Sequence, residues 1–128
     1  MKIFFATSFS SKIDSEGKVL PEFRASIEKL LSRYEAQGHE VFCAVRAENW
    51  RIAAQDPVMA LKLDLQHIKK ADKFVALLDE QVSAGVQLEI GYALALGKEI
   101  TLLAVLDAKL GWTNQALMKL TNVQYETV

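Results

Sequence analysis

A single carboxylate, Glu89, lies inside a segment of the chain that is otherwise almost wholly apolar. Ser83 before the segment is typical of a helix N-cap and Gly97 after it of a helix end, so a helix is predicted over residues 84–96. A helix that is apolar all round is normally buried, and three- and four-residue spacing places Glu89 on an apolar face. Burying an unpaired acid costs several kcal/mol or raises its pKa, which is how proteins make acids, bases and nucleophiles. Glu89 is therefore either a catalytic carboxylate or a structural glutamate that is paired with a cation or lies at a subunit interface.

A hydroxyl-rich loop near the start of the chain is the second candidate for chemistry. Its residues are Thr7, Ser8, Phe9, Ser10, Ser11 and Lys12. Hydroxyl and ammonium donors after a first strand suit a sugar or a phosphate group, and the predicted helix start at Ser83-Ala84-Gly85 would add backbone N–H donors. Neither segment is a P-loop, since the sequence contains no GxxxxGK[ST] and no GxGxxG pattern. The alternative is an ordinary serine-rich loop.

Two aspartates complete the set of candidate groups. Asp64 flanks the apolar face of the preceding predicted helix, where an isolated acid is most often solvated. Asp79 follows the third predicted strand, where it either binds a hydroxyl or serves the turn. The single cysteine and the two histidines have no metal-ligand spacing, and no Ser/His/Asp or Cys/His arrangement is visible. Neither a metal site nor acyl transfer is expected.

Sequence patterns typical of strands and of helices alternate along the chain. The strands and helices that they predict must position these groups. Short β-branched, aromatic or apolar runs predict strands over residues 3–7, 40–45, 73–78, 99–106 and 123–127. Between them, helices are predicted from Pro21 to Gly38, from an Asp56 N-cap onward, over 84–96 and over 115–120. A polar, Trp-bearing loop is predicted over 46–55.

This alternation predicts a three-layer, doubly wound α/β fold with a five-stranded, mostly parallel sheet, formed by a single domain of residues 1–128. In a flavodoxin-like or Rossmann-like sheet with strand order 2-1-3-4-5, the ligand crevice lies beyond the carboxyl ends of strands one and three. Segments 7–12 and 79–85 would form its walls. The helix over 84–96 would then point its N-terminus into the crevice, with Glu89 two turns inside.

Length and composition narrow the classes of protein. A chain of 128 residues suffices for one domain with a real core. The net charge of −1 and the lack of a long basic run predict that the protein has no nucleic-acid partner. The apolar start is too short for a signal peptide, and no segment approaches the ~18 apolar residues of a membrane helix. The sequence predicts a cytoplasmic protein without a membrane partner.

The motifs around Asp64 and Glu89 match those of a known family. The chain resembles the nucleoside 2-deoxyribosyltransferase-like family, which includes N-glycosidases of 2′-deoxynucleoside 5′-monophosphates. The resemblance covers most of the chain, and its helix motif reads Ser83-x-Gly85-Val86-x-x-Glu89-Ile90-Gly91-Tyr92-Ala93-x-Ala95-x-Gly97-Lys98. It is preceded by the pattern Asp64-Leu65-x-x-Ile68 and the apolar strand that ends at Asp79.

The resemblance implies roles for particular residues. Glu89 matches the family's catalytic glutamate, the nucleophile on the anomeric carbon, and Asp64 matches the aspartate that contacts the sugar and assists proton transfer. Ser83 lies where the monophosphate hydrolases bind phosphate. Thr113 and Asn114 lie where family members reach into the neighbouring subunit's site. The resemblance implies no cofactor and no metal.

The chain also departs from the family pattern in the predicted substrate-binding segment. The first strand of the family usually carries a tyrosine where this chain has Phe4. The loop of the hydrolases usually holds glycines and an arginine, where this chain has Thr7 and Ser10.

Together these observations predict an enzyme that acts on the N-glycosidic bond of a (2′-deoxy)nucleoside or its 5′-monophosphate. The alternative is a non-catalytic sensor that binds a nucleotide or a nucleotide sugar in the same crevice. A receiver-like module is disfavoured, because a receiver needs clustered acids at the end of its first strand and this chain has none there. The apolar helix around Glu89 predicts more burial than one small domain provides, so a homodimer or higher homo-oligomer is expected.

Overall fold

The apolar run over residues 73–78 becomes the central strand of a parallel sheet. The structure, a computed structural model, describes residues 1–52, 56–120 and 122–128. In these residues five strands pair in parallel in the order β2-β1-β3-β4-β5. The strands are β1 (Lys2–Thr7), β2 (Glu40–Cys43), β3 (Lys73–Leu78), β4 (Glu99–Ala104) and β5 (Val123–Thr127). The fold class and the strand order predicted from the sequence are confirmed.

Helices cover both faces of this sheet and make the three layers. They are α1 (Pro21–Ala36), α2 (Ala44–Ala47), α3 (Pro57–Lys70), α4 (Ala84–Ala95) and α5 (Trp112–Leu117). Helix α1 packs on one face, where Ile27 joins a core with Phe5. Helices α3 and α4 pack on the opposite face, where Ile68 and Ile90 join a second core with Phe4. Successive residues of β1 therefore point into different cores, as the two-residue period of a strand requires.

The loop between β1 and α1 is held by short backbone pairings. Ile13 and Val19 form an isolated antiparallel bridge, and Lys18 pairs in the same way with Arg51. The N–H of Val19 donates to the carbonyl of Trp50 at 2.8 Å. Asn49 and Trp50 both have positive φ, at 57° and 60°. These pairings fix the chain that follows the hydroxyl-rich loop.

Three elements differ from their predicted bounds by two or more residues. The second strand ends at Cys43 because α2 follows at once, and the Arg46 guanidinium closes that corner by donating to the Val41 carbonyl at 2.7 Å. Strand β4 ends at Ala104, two residues early. Helix α5 begins at Trp112, three residues early, since the polar segment that resembles a loop in sequence is partly buried against α4. Residues 53–55 of the predicted loop over 46–55 lie outside the described residues.

Among the described residues, no helix combines the length and apolar character that crossing a membrane requires. The same residues contain no group of three or more His, Cys, Asp or Glu side chains placed to hold a metal ion.

Candidate active site

Helix α4 holds Glu89 at the site, and the start of that helix is fixed by two serines. The Oγ of Ser83 accepts a hydrogen bond from the N–H of Val86 at 3.3 Å, so Ser83 is the N-cap that its type predicts. The N–H of Ser83 in turn donates to the Oγ of Ser8 at 2.7 Å. This bond ties the loop after β1 to the start of α4. One and a half turns into the helix, Glu89 is only 9% exposed.

A cavity of about 180 Å³ lies between the carboxyl ends of β1 and β2 and helices α3 and α4. Its polar lining brings together Asp64, Glu89, Ser83 and Thr7, four residues that the sequence selected. Phe4 and Gly85, also selected, lie in the same wall. The remaining lining residues are Phe5, Ala6, Phe9, Cys43, Ala44, Val45, Leu61 and Val86. Two carboxyl groups thus face a small, largely apolar cavity.

Burial controls the charge of both acids. Burial, together with a smaller effect of the nearby charge of Asp64, raises the pKa of Glu89 to about 8. Burial likewise raises the pKa of Asp64 to about 6, with the charge of Glu48 adding to the effect. At neutral pH Glu89 is therefore mostly protonated and Asp64 mostly ionised. Two carboxyl groups whose pKa values are raised and separated are typical of acid–base sites.

One of the two structural interpretations of Glu89 required a cation beside it. Within the described residues, neither Glu89 nor Asp64 forms an ion pair; the pairs that are formed join Lys18–Glu16, Arg24–Glu28, Arg33–Glu126, Arg46–Glu35 and Lys73–Glu99. The burial of Glu89 thus has no electrostatic compensation of the kind that a structural glutamate usually has.

Five residues selected from the sequence lie outside the cavity lining. One is Ser8, whose Oγ accepts from the N–H of Ser83. Ser10 is exposed. Asp79 lines a separate groove of about 990 Å³ on the α1 side of the sheet, and its Oδ1 accepts from the N–H of Gln81 at 2.8 Å, which is turn chemistry. Thr113 is exposed on α5, whereas Asn114 is 4% exposed and its Oδ1 accepts from the Nε2 of Gln87 at 2.8 Å. These five residues do not line the cavity.

Several wall residues were not selected from the sequence. Phe5, Cys43 and Val45 contribute to the cavity because β1 and β2 run side by side and end at the same edge of the sheet. The signal was present in the strand order, since residues at the carboxyl ends of adjacent parallel strands lie together. Leu61 lies almost one turn before Asp64 on α3, so helical spacing could have identified it.

Replacing Asn114 with alanine is expected to lower the free energy of unfolding by about 1–3 kcal/mol, because the amide of Gln87 loses its partner in a partly buried position. Urea denaturation of this variant, with the exposed Asn122→Ala as a matched control, measures the effect. A variant of full stability but low activity would contradict this intramolecular role and favour a role in a neighbouring subunit's site.

Comparison with known proteins agrees with this geometry. The model of the nucleoside 2-deoxyribosyltransferase family matches residues 17–124. A CMP N-glycosidase, BcmB of Clostridium botulinum, is similar in structure with a TM-score of 0.72 and 28% identity, over 100% of this chain and 88% of that one. The solution structure of BlsM is similar with a TM-score of 0.79 and 28% identity, over 99% and 80% of the two chains.

A 2-deoxyribosyltransferase from Bacillus psychrosaccharolyticus shares the fold, with a TM-score of 0.60 and 24% identity, over 81% of this chain and 72% of that one. A search of curated proteins found no match. The family model spans most of the chain, including both carboxylates and the start of α4. The chain belongs to the nucleoside 2-deoxyribosyltransferase family.

Proposed function

We propose that this protein is an enzyme that cleaves or transfers the N-glycosidic bond of a (2′-deoxy)nucleoside or its 5′-monophosphate, with Glu89 as the nucleophile. The observation that carries the proposal is the buried carboxyl group of Glu89, which faces a cavity together with Asp64 and without an ion-pair partner among the described residues. Family membership and the similarity to a CMP N-glycosidase support the class of bond.

The two carboxyl groups can divide the chemistry between them. At neutral pH the pair holds about one proton, because Glu89 has a pKa of about 8 and Asp64 of about 6. Positive charge developing on the sugar favours ionised Glu89, and the proton is then available to Asp64. The arrangement thereby produces a nucleophile and a general acid from the same pair.

In the proposed reaction, each bond that breaks is matched by a bond that forms. The C1′–N bond breaks, its electron pair passes to the nucleobase, and Asp64 supplies the proton that neutralises the departing base. The carboxylate of Glu89 bonds to C1′ and forms a glycosyl-enzyme. In hydrolysis, water then attacks C1′ and gives one proton to the carboxylate of Asp64. The bond between C1′ and Glu89 breaks, and Glu89 leaves as a carboxylate. In transfer, an acceptor base attacks C1′ instead.

Other cavity residues suit the remaining parts of a nucleoside. The hydroxyls of Thr7 and Ser83 can donate to sugar oxygens, while Gly85 leaves the start of α4 open to the ligand. Phe4 and Phe9 provide apolar surface that a base can pack against.

Base release measures this function directly. Purified protein is incubated with the four deoxyribonucleosides, the four ribonucleosides and their 5′-monophosphates, with and without an acceptor base, and the free base is quantified by chromatography. Release of base from at least one substrate supports the proposal, and product formed only with an acceptor identifies a transferase. Binding of nucleosides or nucleotides without release of base contradicts it and favours the sensor.

We further propose that the protein forms a homodimer or a higher homo-oligomer through the outer surface of α3 and α4. Large apolar side chains are exposed there: Val58, Met59, Leu61, Leu63 and Leu88, with Trp112 of α5 84% exposed. Leu61 is also a wall of the cavity, so this apolar surface extends to the mouth of the site. Thr113 is exposed beside Trp112 and could contact a neighbouring subunit.

Replacing Leu88 with aspartate is expected to convert the oligomer to a monomer, since a buried, unpaired charge at the interface is costly. Sedimentation velocity of the wild type, of Leu88→Asp and of the exposed Leu106→Asp on the other side of the sheet measures the effect. A wild-type protein that sediments as a monomer with full activity would contradict the proposed oligomer.

A further inference from the structure

A row of aromatic rings crosses the sheet on the face that carries α3 and α4. Phe42 of β2, Phe4 of β1 and Phe74 of β3 lie opposite one another in the strand register. The ring centroids of Phe4 and Phe42 are 5.5 Å apart, and those of Phe4 and Phe74 are 5.6 Å apart. Aromatic side chains that lie opposite each other on adjacent strands stabilise a sheet. Phe4, the middle ring, is also part of the cavity wall.

His67 of α3 extends this row at its β2 end. Its ring stacks on the ring of Phe42, with 3.7 Å between the centroids and 9° between the ring planes. Among the described residues, the His67 ring forms no hydrogen bond and no ion pair. Burial and, to a smaller extent, the charge of Lys70 lower the pKa of its imidazole, so a neutral ring stacks on Phe42 at neutral pH. His67 does not line the cavity, so it is not placed to act on a substrate itself.

Helix α3 is attached to the sheet mainly through its second half. Over its described residues 57–70, Ile68 is the one that is fully buried, and Leu65 packs against the same core. The first half instead exposes large apolar side chains, which are Val58, Met59, Leu61 and Leu63. The contact of His67 with Phe42 is therefore a substantial part of what holds α3 in its orientation.

Asp64 depends on that orientation. Within the described residues its carboxyl group forms no hydrogen bond and no ion pair, so its position is set by the helix that carries it. Asp64 lies three residues before His67, and residues at this spacing are neighbours on the surface of a helix. A rotation of α3 that separated His67 from Phe42 would therefore also turn Asp64 away from the cavity.

We infer that His67 is a positioning residue, which by stacking on Phe42 holds α3 so that the carboxyl group of Asp64 lies in the cavity with that of Glu89. The inference rests on the proposed function, in which Asp64 protonates the departing base. A general acid must lie within hydrogen-bond reach of the atom that it protonates. A misplacement of about 1 Å, even one caused by a residue far from the reaction, can lower the rate by on the order of 100-fold.

Replacing His67 tests this role, because leucine removes the flat ring and keeps an apolar side chain. We expect His67→Leu to lower kcat for base release by roughly 10- to 100-fold and to leave KM within about threefold of the wild type, since His67 does not touch the cavity. His67→Phe retains a ring that can stack, and it should keep most of kcat. Gln66→Leu introduces leucine at the exposed neighbouring position of α3 and should leave kcat unchanged. A wild-type kcat in His67→Leu would overturn the inference.

Coupling to Asp64 separates positioning from a general effect on folding. In Asp64→Asn the proton donor is already lost, so adding His67→Leu should lower kcat by less than about threefold. An equal effect of His67→Leu in the wild type and in Asp64→Asn would overturn the inference and leave the proposed function intact. Phe42→Leu removes the other ring of the stack and provides the same comparison should His67→Leu fail to fold. Absence of base release by the wild type from every substrate would overturn both.

Discussion

Replacement of Glu89 by glutamine is expected to lower kcat for base release by on the order of 10⁴-fold, the upper range for loss of one positioned carboxyl group. Glutamine has nearly the same shape as glutamate, so the packing of Val86 and Ile90 on α4 is retained. The amide oxygen cannot form a stable glycosyl ester, and it does not stabilise a positively charged sugar as a carboxylate does. Steady-state chromatography of the released base measures the change.

The control for this variant is Glu22→Gln, which removes an exposed acid at the start of α1. It is expected to release base at the wild-type rate. Circular dichroism of both variants establishes that they are folded. If Glu89→Gln retains a kcat within about tenfold of the wild type, a loss of roughly 1.4 kcal/mol or less, Glu89 is not the nucleophile.

The stability of the wild type is expected to fall as the pH rises from about 5 to 8, and Glu89 is expected to be the main cause. The pKa of Glu89 is raised from 4.5 to about 8 by burial, so between these values the folded protein holds a proton that the unfolded chain has released. Stability therefore decreases with pH over this range, the reverse of the effect of a salt-bridged acid. Because one pKa unit corresponds to about 1.4 kcal/mol, a shift from 4.5 to about 8 means that ionising Glu89 in the folded protein should cost roughly 5 kcal/mol.

Urea denaturation of the wild type and Glu89→Gln at pH 5, 7 and 8.5 isolates this effect. Subtraction of the two free energies of unfolding cancels the other titrating groups, including most of the contribution of Asp64, whose pKa of about 6 acts in the same direction. The glutamine variant should become the more stable protein as the pH rises. A difference between the two proteins that does not change with pH would show that Glu89 titrates normally.

The features that the sequence predicted correctly are those with local physical causes. Ser83 caps α4 because its hydroxyl reaches an N–H three residues later, and Gly97 ends the helix with a φ of 69° that glycine adopts without strain. The burial of Glu89 followed from the apolar residues on all sides of that helix. The doubly wound parallel sheet followed from the alternation of strands and helices, which restricts the topology to a few strand orders, and the flavodoxin-like order is the one observed.

The features that it did not predict depend on contacts between distant segments. Lys12 and Asp79 were expected at one crevice together with Glu89, but the crevice is divided. The carboxylates project from α3 and α4 on one face of the sheet, whereas Lys12 and Asp79 line the groove beside α1 on the other. A pattern of residue types does not specify on which side of a strand end a loop turns.

Asn114 illustrates the same limit at a single residue. Its sequence neighbours, Trp112 and Thr113, are exposed, and the segment has the composition of a loop. Its burial arises from the hydrogen bond to Gln87, which lies 27 residues earlier in the chain. No local pattern encodes that pairing.

The most direct test of Glu89 as the nucleophile is the mass of the protein during turnover. The wild type is mixed with a substrate identified by the base-release assay, quenched in acid within milliseconds, and analysed as the intact chain and as peptides. We expect a fraction of the protein to gain the mass of one sugar residue, located on the peptide that contains Glu89, and no such gain in Glu89→Gln. Release of base with no adduct at any quench time, together with an active Glu89→Gln, would contradict a covalent role for Glu89.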